Sequence, residues 1–427
     1  MKGKSFFGLI KPQIVYPSTS GIASTLKRVA SPRRATFLIR ETSSKSDEVL
    51  LKVGDTVKTG QKLALTTDAA DYAVSSVSGT ISDIGPFAGD MGESYVAVTI
   101  DASEEPAEDN SFSAVADEPS LETAAAWLDA LPGAPGFQRF TTPGHGIHTL
   151  MILGADTDML VGTQQQVLTA HGSALRNGID ILKQITGIDQ VFLVVPKDRL
   201  QGYGYLNAEV KAVDNHYPSA LPRLVMKDVL GKVVPSGSSE EDLGVAFLTA
   251  EAVANLGTAY ETKTPPTLKY VTVIQKDGST TLVQADLGTP VKDILDACGE
   301  SVNEKDRLVL GGPMNGSAVY SDLYPVMPDT DAVMIQDRSD ISPVVDATCI
   351  NCGECVRACP VNIPVNLLVR FLSAESYDDA ADLYDLHACI ECGLCTFVCV
   401  ARIPISQHIR LGKHELERTK AVEETND

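Results

Sequence analysis

Two stretches decide the fold of the C-terminal part of this chain: CINCGECVRACP at residues 349–360 and CIECGLCTFVCV at residues 389–400. Each has the spacing C-x2-C-x2-C-x3-C, and together they hold eight of the nine cysteines in 427 residues. A disulfide framework spreads cysteines through a small secreted domain, whereas eight thiols in one short segment of a long chain indicate metal binding. The spacing therefore predicts a metal-binding domain.

The repeated spacing is the one with which bacterial ferredoxins hold two [4Fe–4S] clusters. Three closely spaced thiolates bind three iron corners of one cubane, and the fourth cysteine reaches the other cluster. The motifs therefore predict a crossed assignment of ligands: Cys349, Cys352, Cys355 and Cys399 to cluster 1, and Cys389, Cys392, Cys395 and Cys359 to cluster 2.

Structural zinc is the alternative interpretation of these cysteines. Zinc sites use spaced pairs that supply four ligands to one tetrahedral ion, and a run of three cysteines plus a fourth suits that geometry poorly. The ninth cysteine, Cys298, lies in the apolar stretch ILDACG and is predicted to be a buried small hydrophobe.

The net charge of −21 argues against a nucleic-acid partner, because binding a phosphate backbone needs clustered Lys and Arg. Hydrophobic residues make up 44% of the chain and charged residues 21%, as in ordinary globular proteins. No run approaches the ~18 consecutive apolar residues of a membrane span, and no secretory segment is evident. These features predict a cytoplasmic protein that reaches any membrane through protein contacts.

The composition changes along the chain and predicts several domains. Apolar and polar residues alternate around glycine turns in the first part. In the middle, compact apolar runs flank one predicted helix at 163–187, which Gly187 closes. Further on, a predicted strand pair turns at Asp277 and Gly278. The predicted parts are a β domain at 1–100, an acidic linker at 101–122, an α/β domain with a parallel sheet at 123–260, an α+β module at 267–338, the cysteine domain at 340–412 and a charged helical tail at 413–427.

Over essentially its full length the chain resembles the C subunit of the Rnf complex, the ion-translocating ferredoxin:NAD⁺ oxidoreductase. The resemblance rests on the cysteine domain, on LKVGDTVKTGQKLA and VSGTI in the first part, and on LGTPVKDILDACG and LGGPMNG in the module at 267–338. It implies a multidomain α/β and α+β fold. The expected domains are a barrel-sandwich β domain, a Rossmann-like α/β domain, a β-grasp ligand-binding-like module and an α-helical two-cluster ferredoxin domain.

The resemblance also implies an FMN and NADH site in the α/β domain, where this sequence departs from the family. The family's loop reads like GxGGAGFP, and here it is LPGAPGFQRF at residues 131–140. Pro132 and Pro135 remove N–H donors that a phosphate cradle would use. The family's acidic NGAECEP-like strand end corresponds to LGADTDM, which makes Asp156 and Asp158 the candidate cofactor-binding residues. The altered loop predicts weak or absent FMN binding.

The leading prediction is an iron–sulfur electron-transfer subunit of an Rnf-type oxidoreductase, attached peripherally to the cytoplasmic membrane. Its expected partners are membrane subunits of that complex and a soluble redox protein or NAD(H). One alternative is an FMN-containing subunit that oxidises NADH. Another, from a different class, is a zinc-binding assembly or adaptor protein without a redox role. Acid-labile sulfide and flavin content distinguish the three.

Overall fold

A computed structural model of the chain describes residues 14–16, 26–40, 49–67, 69–89, 92–141, 146–341 and 348–426. The strands in these ranges are β1 (Ile14–Val15), β2 (Lys27–Arg28), β3 (Arg34–Arg40), β4 (Thr56–Val57), β5 (Lys62–Ala64), β6 (Tyr72–Val74), β7 (Gly79–Ala88), β8 (Ser94–Ala102), β9 (Thr149–Leu153), β10 (Val191–Pro196), β11 (Glu209–Val213), β12 (His216–Tyr217), β13 (Val245–Thr249), β14 (Leu268–Ile274), β15 (Thr280–Asp286), β16 (Arg307–Leu310), β17 (Ser317–Val319) and β18 (Ala332–Gln336). The helices are α1 (Leu121–Trp127), α2 (Thr163–Ala170), α3 (Gly172–Thr186), α4 (Pro222–Leu230), α5 (Ala250–Thr262), α6 (Val291–Cys298), α7 (Glu354–Ala358), α8 (Val365–Ser373), α9 (Tyr377–Tyr384), α10 (Leu394–Phe397) and α11 (Ile405–Asn426).

The first domain is the predicted β structure. An antiparallel sheet of order β3-β8-β7-β4 packs with the β5-β6 hairpin around buried aliphatic and aromatic side chains. Gly79 begins β7 at a close approach, since a Cβ there would lie 2.1 Å from the carbonyl oxygen of Asp101. The strand β8 continues to Ala102, so β structure enters the segment predicted as an acidic linker. That segment is also packed, because Phe112 is buried against Trp127 and Tyr260.

The α/β domain has a four-stranded parallel sheet of order β11-β10-β9-β13. All five residues of β9 are buried, as expected for a strand covered by helices on both faces. Helices α3 and α5 cover one face and α4 covers the other. Helices α3 and α5 approach closely at Gly178, where a Cβ would lie 1.8 Å from the carbonyl oxygen of Val253.

One helix expected from the sequence between β9 and β10 is two helices. The chain leaves helical geometry at His171, between α2 and α3, and α3 ends as predicted at Gly187 with φ of 69°. Histidine and the following Gly172 are weak helix formers. The His171 ring is also held by Tyr270 of β14, with Nε2 2.6 Å from the hydroxyl. A contact between domains therefore sets this break.

The module at 267–338 is a six-stranded mixed sheet of order β17-β16-β18-β14-β15-β2, with α6 packed against it. The predicted β14-β15 hairpin turns at Asp277 and Gly278, which has φ of 79°. Its last strand, β2, comes from the N-terminal part of the chain and pairs in parallel with β15. Cys298 ends α6 and is only partly buried.

The cysteine domain is helical, as expected, and residues 348–426 contain no strand. Helix α11 starts at Ile405 and continues to Asn426, so the boundary placed between residues 412 and 413 falls inside one helix. Leu416 is buried in the same core as α8 and α9, which extends the domain beyond residue 412. No helix among the described residues is both long and apolar enough to span a membrane.

The α/β domain and the six-stranded module share a buried group of charges. Lys269 of β14 is fully buried, and its Nζ binds the carboxylates of Glu251 at the start of α5 and Asp331 before β18. Glu251 also accepts a hydrogen bond from Tyr270 N at 3.0 Å. Burial alone would lower the pKa of Lys269, but the two carboxylates raise it above its usual value. The lysine is therefore charged and joins the two domains.

We expect Lys269→Met to lower the free energy of unfolding by about 3–5 kcal/mol, because it leaves Glu251 buried without a counter-charge. The matched control is Lys197→Met, which removes an exposed ion pair with Asp214 and should change stability by less than about 1 kcal/mol. Urea unfolding followed by the fluorescence of the single tryptophan, Trp127, measures both variants. Equal losses would contradict a special role for the buried lysine.

Candidate iron–sulfur centre

The cysteine motifs surround two cavities in the helical domain. The first is lined by Cys349, Cys352, Cys355 and Cys399. The second is lined by Cys359, Cys389, Cys392 and Cys395. Each cavity thus receives three cysteines from one motif and the fourth cysteine of the other. This lining matches the crossed pattern, and ligation by these thiols stays a prediction.

The two motifs belong to an internal repeat with an offset of 40 residues that is longer than the cysteine pattern itself. After each fourth cysteine the chain reaches an Ile-Pro pair and then a helix, α8 or α11. Three pairs of equivalent residues have left-handed backbone: Asn351 and Glu391, Gly353 and Gly393, and Asn362 and Arg402. The Ile-Pro pair was the sequence signal that could have revealed the longer repeat.

Left-handed residues let the short loops turn backbone N–H groups toward sulfur. The N–H of Glu391 donates to Cys389 Sγ and that of Ile403 to Cys399 Sγ, each at 3.4 Å. Hydrogen bonds of this kind favour the thiolate form of cysteine. They also influence the reduction potential of an iron–sulfur cluster. Each cavity therefore has a backbone donor directed at one of its cysteines.

The surroundings of the thiols are apolar. Burial raises the pKa of Cys355 to about 11 and that of Cys392 to about 12. Without metal these groups are therefore neutral thiols at pH 7, and binding iron would displace their protons. Among the described residues, no three Cys, His, Asp or Glu side chains are placed to hold a single metal ion. Four thiols around a cavity suit a cubane, in which a separate cysteine binds each iron.

The two cavities differ in their exposure. Cys352 at the first cavity is exposed, and the adjacent apolar side chains of Ile350 and Val400 are 65% and 59% exposed. The second cavity is covered by other domains: Tyr217 and Leu221 of the α/β domain form an apolar cluster with Cys392. The first cavity therefore faces outward and the second faces the rest of the chain.

Polar contacts fix that covered side. The Tyr217 hydroxyl donates to the carbonyl of Cys392 at 2.7 Å and lies 3.2 Å from Asn315 Oδ1. A guanidinium nitrogen of Arg410 donates to the carbonyl of Asn315 at 2.7 Å. Tyr217 is not among the site residues that the sequence predicts. No local pattern shows that its hydroxyl reaches a cysteine 175 residues later.

The candidate flavin loop is folded onto itself and onto neighbouring domains. The N–H groups of Gly133 and Ala134 donate to the carbonyls of Pro328 and Leu131. Gly133 also packs on the start of α5, where a Cβ would lie 2.4 Å from the nitrogen of Ala252. The N–H of Phe137 donates to the carboxylate of Asp129. These donors, which a phosphate cradle would need, are already used by the protein.

Asp156 and Asp158, the candidate cofactor-binding residues, are buried and bound to the chain. Burial raises the pKa of Asp156 to about 7, and its carboxylate accepts from Gln164 N at 2.8 Å at the start of α2. Asp158 accepts from Met314 N at 3.1 Å and Asn315 N at 2.8 Å. Both carboxylates therefore fix local structure.

Comparisons with known proteins match both ends of the chain. Residues 10–105 match the RnfC barrel sandwich hybrid domain, and residues 342–402 match the 4Fe-4S dicluster domain. The C subunit of the ion-translocating oxidoreductase complex of Klebsiella pneumoniae (strain 342) is 26% identical over 408 residues, covering 88% of this chain and 52% of that protein. The C subunit of the proton-translocating ferredoxin:NAD(+) oxidoreductase complex of Clostridium ljungdahlii is 24% identical, covering 90% of this chain and 88% of that protein.

The chain spans about half the length of several curated relatives that it matches, including those of Klebsiella pneumoniae and Pseudomonas aeruginosa. A crystal structure of NAD+-reducing [NiFe]-hydrogenase in the H2-reduced state is 12% identical, with a TM-score of 0.45 over 70% of this chain and 64% of that chain.

The cavities and the matched domains together define an iron–sulfur protein, with a helical 4Fe-4S domain that follows a β domain, an α/β domain and the six-stranded module. Within that class the chain is RnfC-like, since its barrel-sandwich domain and its 4Fe-4S domain both match and the relatives span most of its length.

Gly393 and Gly353 form a matched pair for testing how the second motif is docked. Both have positive φ, of 69° and 75°, so alanine at either costs about 1–2 kcal/mol of backbone strain. Only at Gly393 would a Cβ also lie 2.4 Å from the carbonyl oxygen of Met314, whereas Gly353 has nothing within 4 Å. We expect Gly393→Ala to speed amide hydrogen exchange in residues 312–316, and Gly353→Ala to leave that exchange unchanged. The same exchange rates in both variants would contradict direct docking at Gly393.

Proposed function

We propose that this chain is the electron-transfer subunit of an Rnf-type membrane-associated oxidoreductase and relays electrons through two [4Fe–4S] clusters. The observation that carries the proposal is the pair of apolar cavities, each lined by four cysteines drawn from both motifs. Relatives over most of this chain are named as subunits of ion-translocating oxidoreductase complexes. The proposed partners are membrane subunits of such a complex and a soluble redox protein, with the chain bound peripherally at the cytoplasmic membrane.

The helix α7 connects the walls of the two cavities. Cys355 lines the first cavity and Cys359, at the end of α7, lines the second. Four residues of helix rise about 6 Å, so the backbones of these two cysteines are about one helical turn apart. The exposed rim at Ile350 and Val400 supports exchange of electrons with a protein partner at cluster 1. Cluster 2 would then be the inner member of the pair.

The second candidate function is direct oxidation of NADH through a bound FMN. The packing of the loop at 131–137 speaks against it, because a phosphate would have to displace existing hydrogen bonds of Gly133, Ala134 and Phe137. Replacing a buried hydrogen bond in this way costs about 1–3 kcal/mol if its carbonyl is left unpaired. The proposed relay therefore receives electrons from another protein rather than from its own flavin.

Anaerobic reconstitution of the full chain tests the clusters. We expect about 8 iron and about 8 acid-labile sulfide per chain, since each cubane contains four of each. The crossed assignment predicts that Cys359→Ser and Cys392→Ser remove the same EPR signal, and that Cys399→Ser and Cys352→Ser remove the other.

Two outcomes would contradict these expectations separately. About 2 zinc with no sulfide would end the electron-transfer proposal and favour the zinc-binding adaptor. Clusters present, but with Cys359→Ser and Cys352→Ser removing the same signal, would overturn only the crossed assignment. Cys298→Ser is the control, because this cysteine lies on α6 outside both cavities and its loss should leave iron and sulfide unchanged.

The clustered protein also tests the flavin site. We expect little FMN in the supernatant after heat denaturation, because the donors of the loop at 131–137 are used internally. We further expect dithionite, but not NADH, to bleach the visible absorption of the clusters. Stoichiometric FMN together with bleaching by micromolar NADH would favour the NADH-oxidising alternative.

A further inference from the structure

The two halves of the internal repeat differ at one left-handed residue between the first two cysteines of each motif. The first motif has Asn351 there, with φ of 56°, and the second has Glu391, with φ of 55°. Asparagine adopts left-handed backbone readily, whereas glutamate has no such preference. Something beyond the loop must therefore hold Glu391 in this conformation.

Two cations on α11 hold the Glu391 carboxylate. Lys413 Nζ lies 2.6 Å from Glu391 Oε1 and also donates to the carbonyl of Cys389 at 2.8 Å. Arg410 Nε lies 3.4 Å from Glu391 Oε2. The lysine and arginine side chains are 18% and 22% exposed, so water screens these contacts less than those of surface pairs. Glu391, Lys413 and Arg410 together are called the clamp below. The clamp keeps the N–H of Glu391 directed at Cys389 Sγ.

The equivalent positions of the first motif carry no such clamp among the described residues. Asn351 Oδ1 accepts a neutral hydrogen bond from Asn366 at 2.7 Å. The residue equivalent to Lys413 is Ser373, whose hydroxyl donates to the carbonyl of Val369. None of the described residues that line the first cavity is charged.

Arg370 is the equivalent of Arg410, but it is exposed and no described ion pair joins it to the first motif. Glu354 and Arg357 of the first motif pair with each other. Only at the second motif do two cations contact one carboxylate, a group with a net charge of about +1.

The charge of the clamp acts on the nearest thiol. Lys413 Nζ donates to the carbonyl of Cys389 at 2.8 Å, and Cys389 supplies one thiol of the second cavity. A positive charge that stabilises a thiolate also stabilises any added negative charge on the group that the thiolate binds. Reduction of a cubane by one electron makes the cluster and its four thiolates more negative by one unit. The reduced form therefore gains more from the clamp than the oxidised form.

We infer that Lys413, together with Arg410 and Glu391, is a positioning group that raises the reduction potential of cluster 2 and leaves cluster 1 largely unaffected. The inference rests on the proposed function, because it requires clusters in the cavities. Burial by itself would lower the potential of cluster 2, since an enclosed site disfavours the more highly charged reduced form. The clamp offsets that effect at the cavity covered by the other domains.

The test is an EPR-monitored redox titration of the reconstituted full chain, with dithionite as the reductant. Lys413→Gln should shift one midpoint potential to more negative values, by up to about 59 mV, the equivalent of a tenfold change in the ratio of oxidised to reduced cluster. Glu391→Asn should shift the same midpoint in the positive direction, because it removes the carboxylate and places at residue 391 the asparagine of the first motif. Lys413→Arg should keep the wild-type value. The shifted signal should be the one that Cys392→Ser removes.

Arg418→Gln is the matched control, since Arg418 is an exposed cation on the same helix that pairs with Glu415. It should move neither midpoint. Equal shifts in Lys413→Gln and Arg418→Gln, or shifts of the same sign in Lys413→Gln and Glu391→Asn, would overturn the inference. Loss of cluster 2 from Glu391→Asn as well as Lys413→Gln would also overturn it, by showing a structural role alone. Wild-type protein without clusters would instead reject the proposed function.

Discussion

Cys359 and Cys399 each leave their own motif and line the cavity of the other, and this exchange ties the two halves of the helical domain together. Four thiols can face one cavity only if the loops between them are short and tightly curved. The chain achieves this with left-handed residues at equivalent places, among them Gly353 and Gly393. The Ile-Pro pairs then direct α8 and α11 back across the cavities, so the path of the domain follows from where its thiols must point.

The enclosed cavity makes the neighbouring domains part of its wall. The carbonyl of Met314 lies where a side chain at residue 393 would be, and Asp158 holds this segment by accepting from Met314 N and Asn315 N. Asn315 in turn lies beside the Tyr217 hydroxyl, which donates to Cys392. A residue of the α/β domain and a loop of the six-stranded module therefore meet at one cysteine. Movement of either domain would alter the surroundings of the second cavity directly.

The parts predictable from sequence were those set by local spacing. The cysteine motifs, the hairpin at Asp277 and Gly278 and the helix end at Gly187 each depend on residues close together in the chain. The break at His171 and the covering of Cys392 by Tyr217 depend on partners about 100 and 175 residues away. The buried Lys269 illustrates the same limit, because a lysine within an apolar strand shows its role only when both carboxylates are located. Long-range packing is the information that a single sequence lacks.

The loop at 131–137 connects these observations to electron transfer. Its donors bind Pro328, Leu131 and Asp129, so it joins the α/β domain to the six-stranded module instead of remaining open to a phosphate. Pro132 and Pro135 have no backbone N–H to offer a phosphate. For the same reason they reduce the number of N–H groups that need a hydrogen-bond acceptor inside the protein. A loop of this kind supports a role of the α/β domain as a rigid scaffold. Through Tyr217 and Asp158 that scaffold reaches the inner cavity, whereas the outer cavity keeps an exposed apolar rim for another protein. The domain thus contributes to the proposed relay by enclosing one cluster, which leaves the other as the place of exchange.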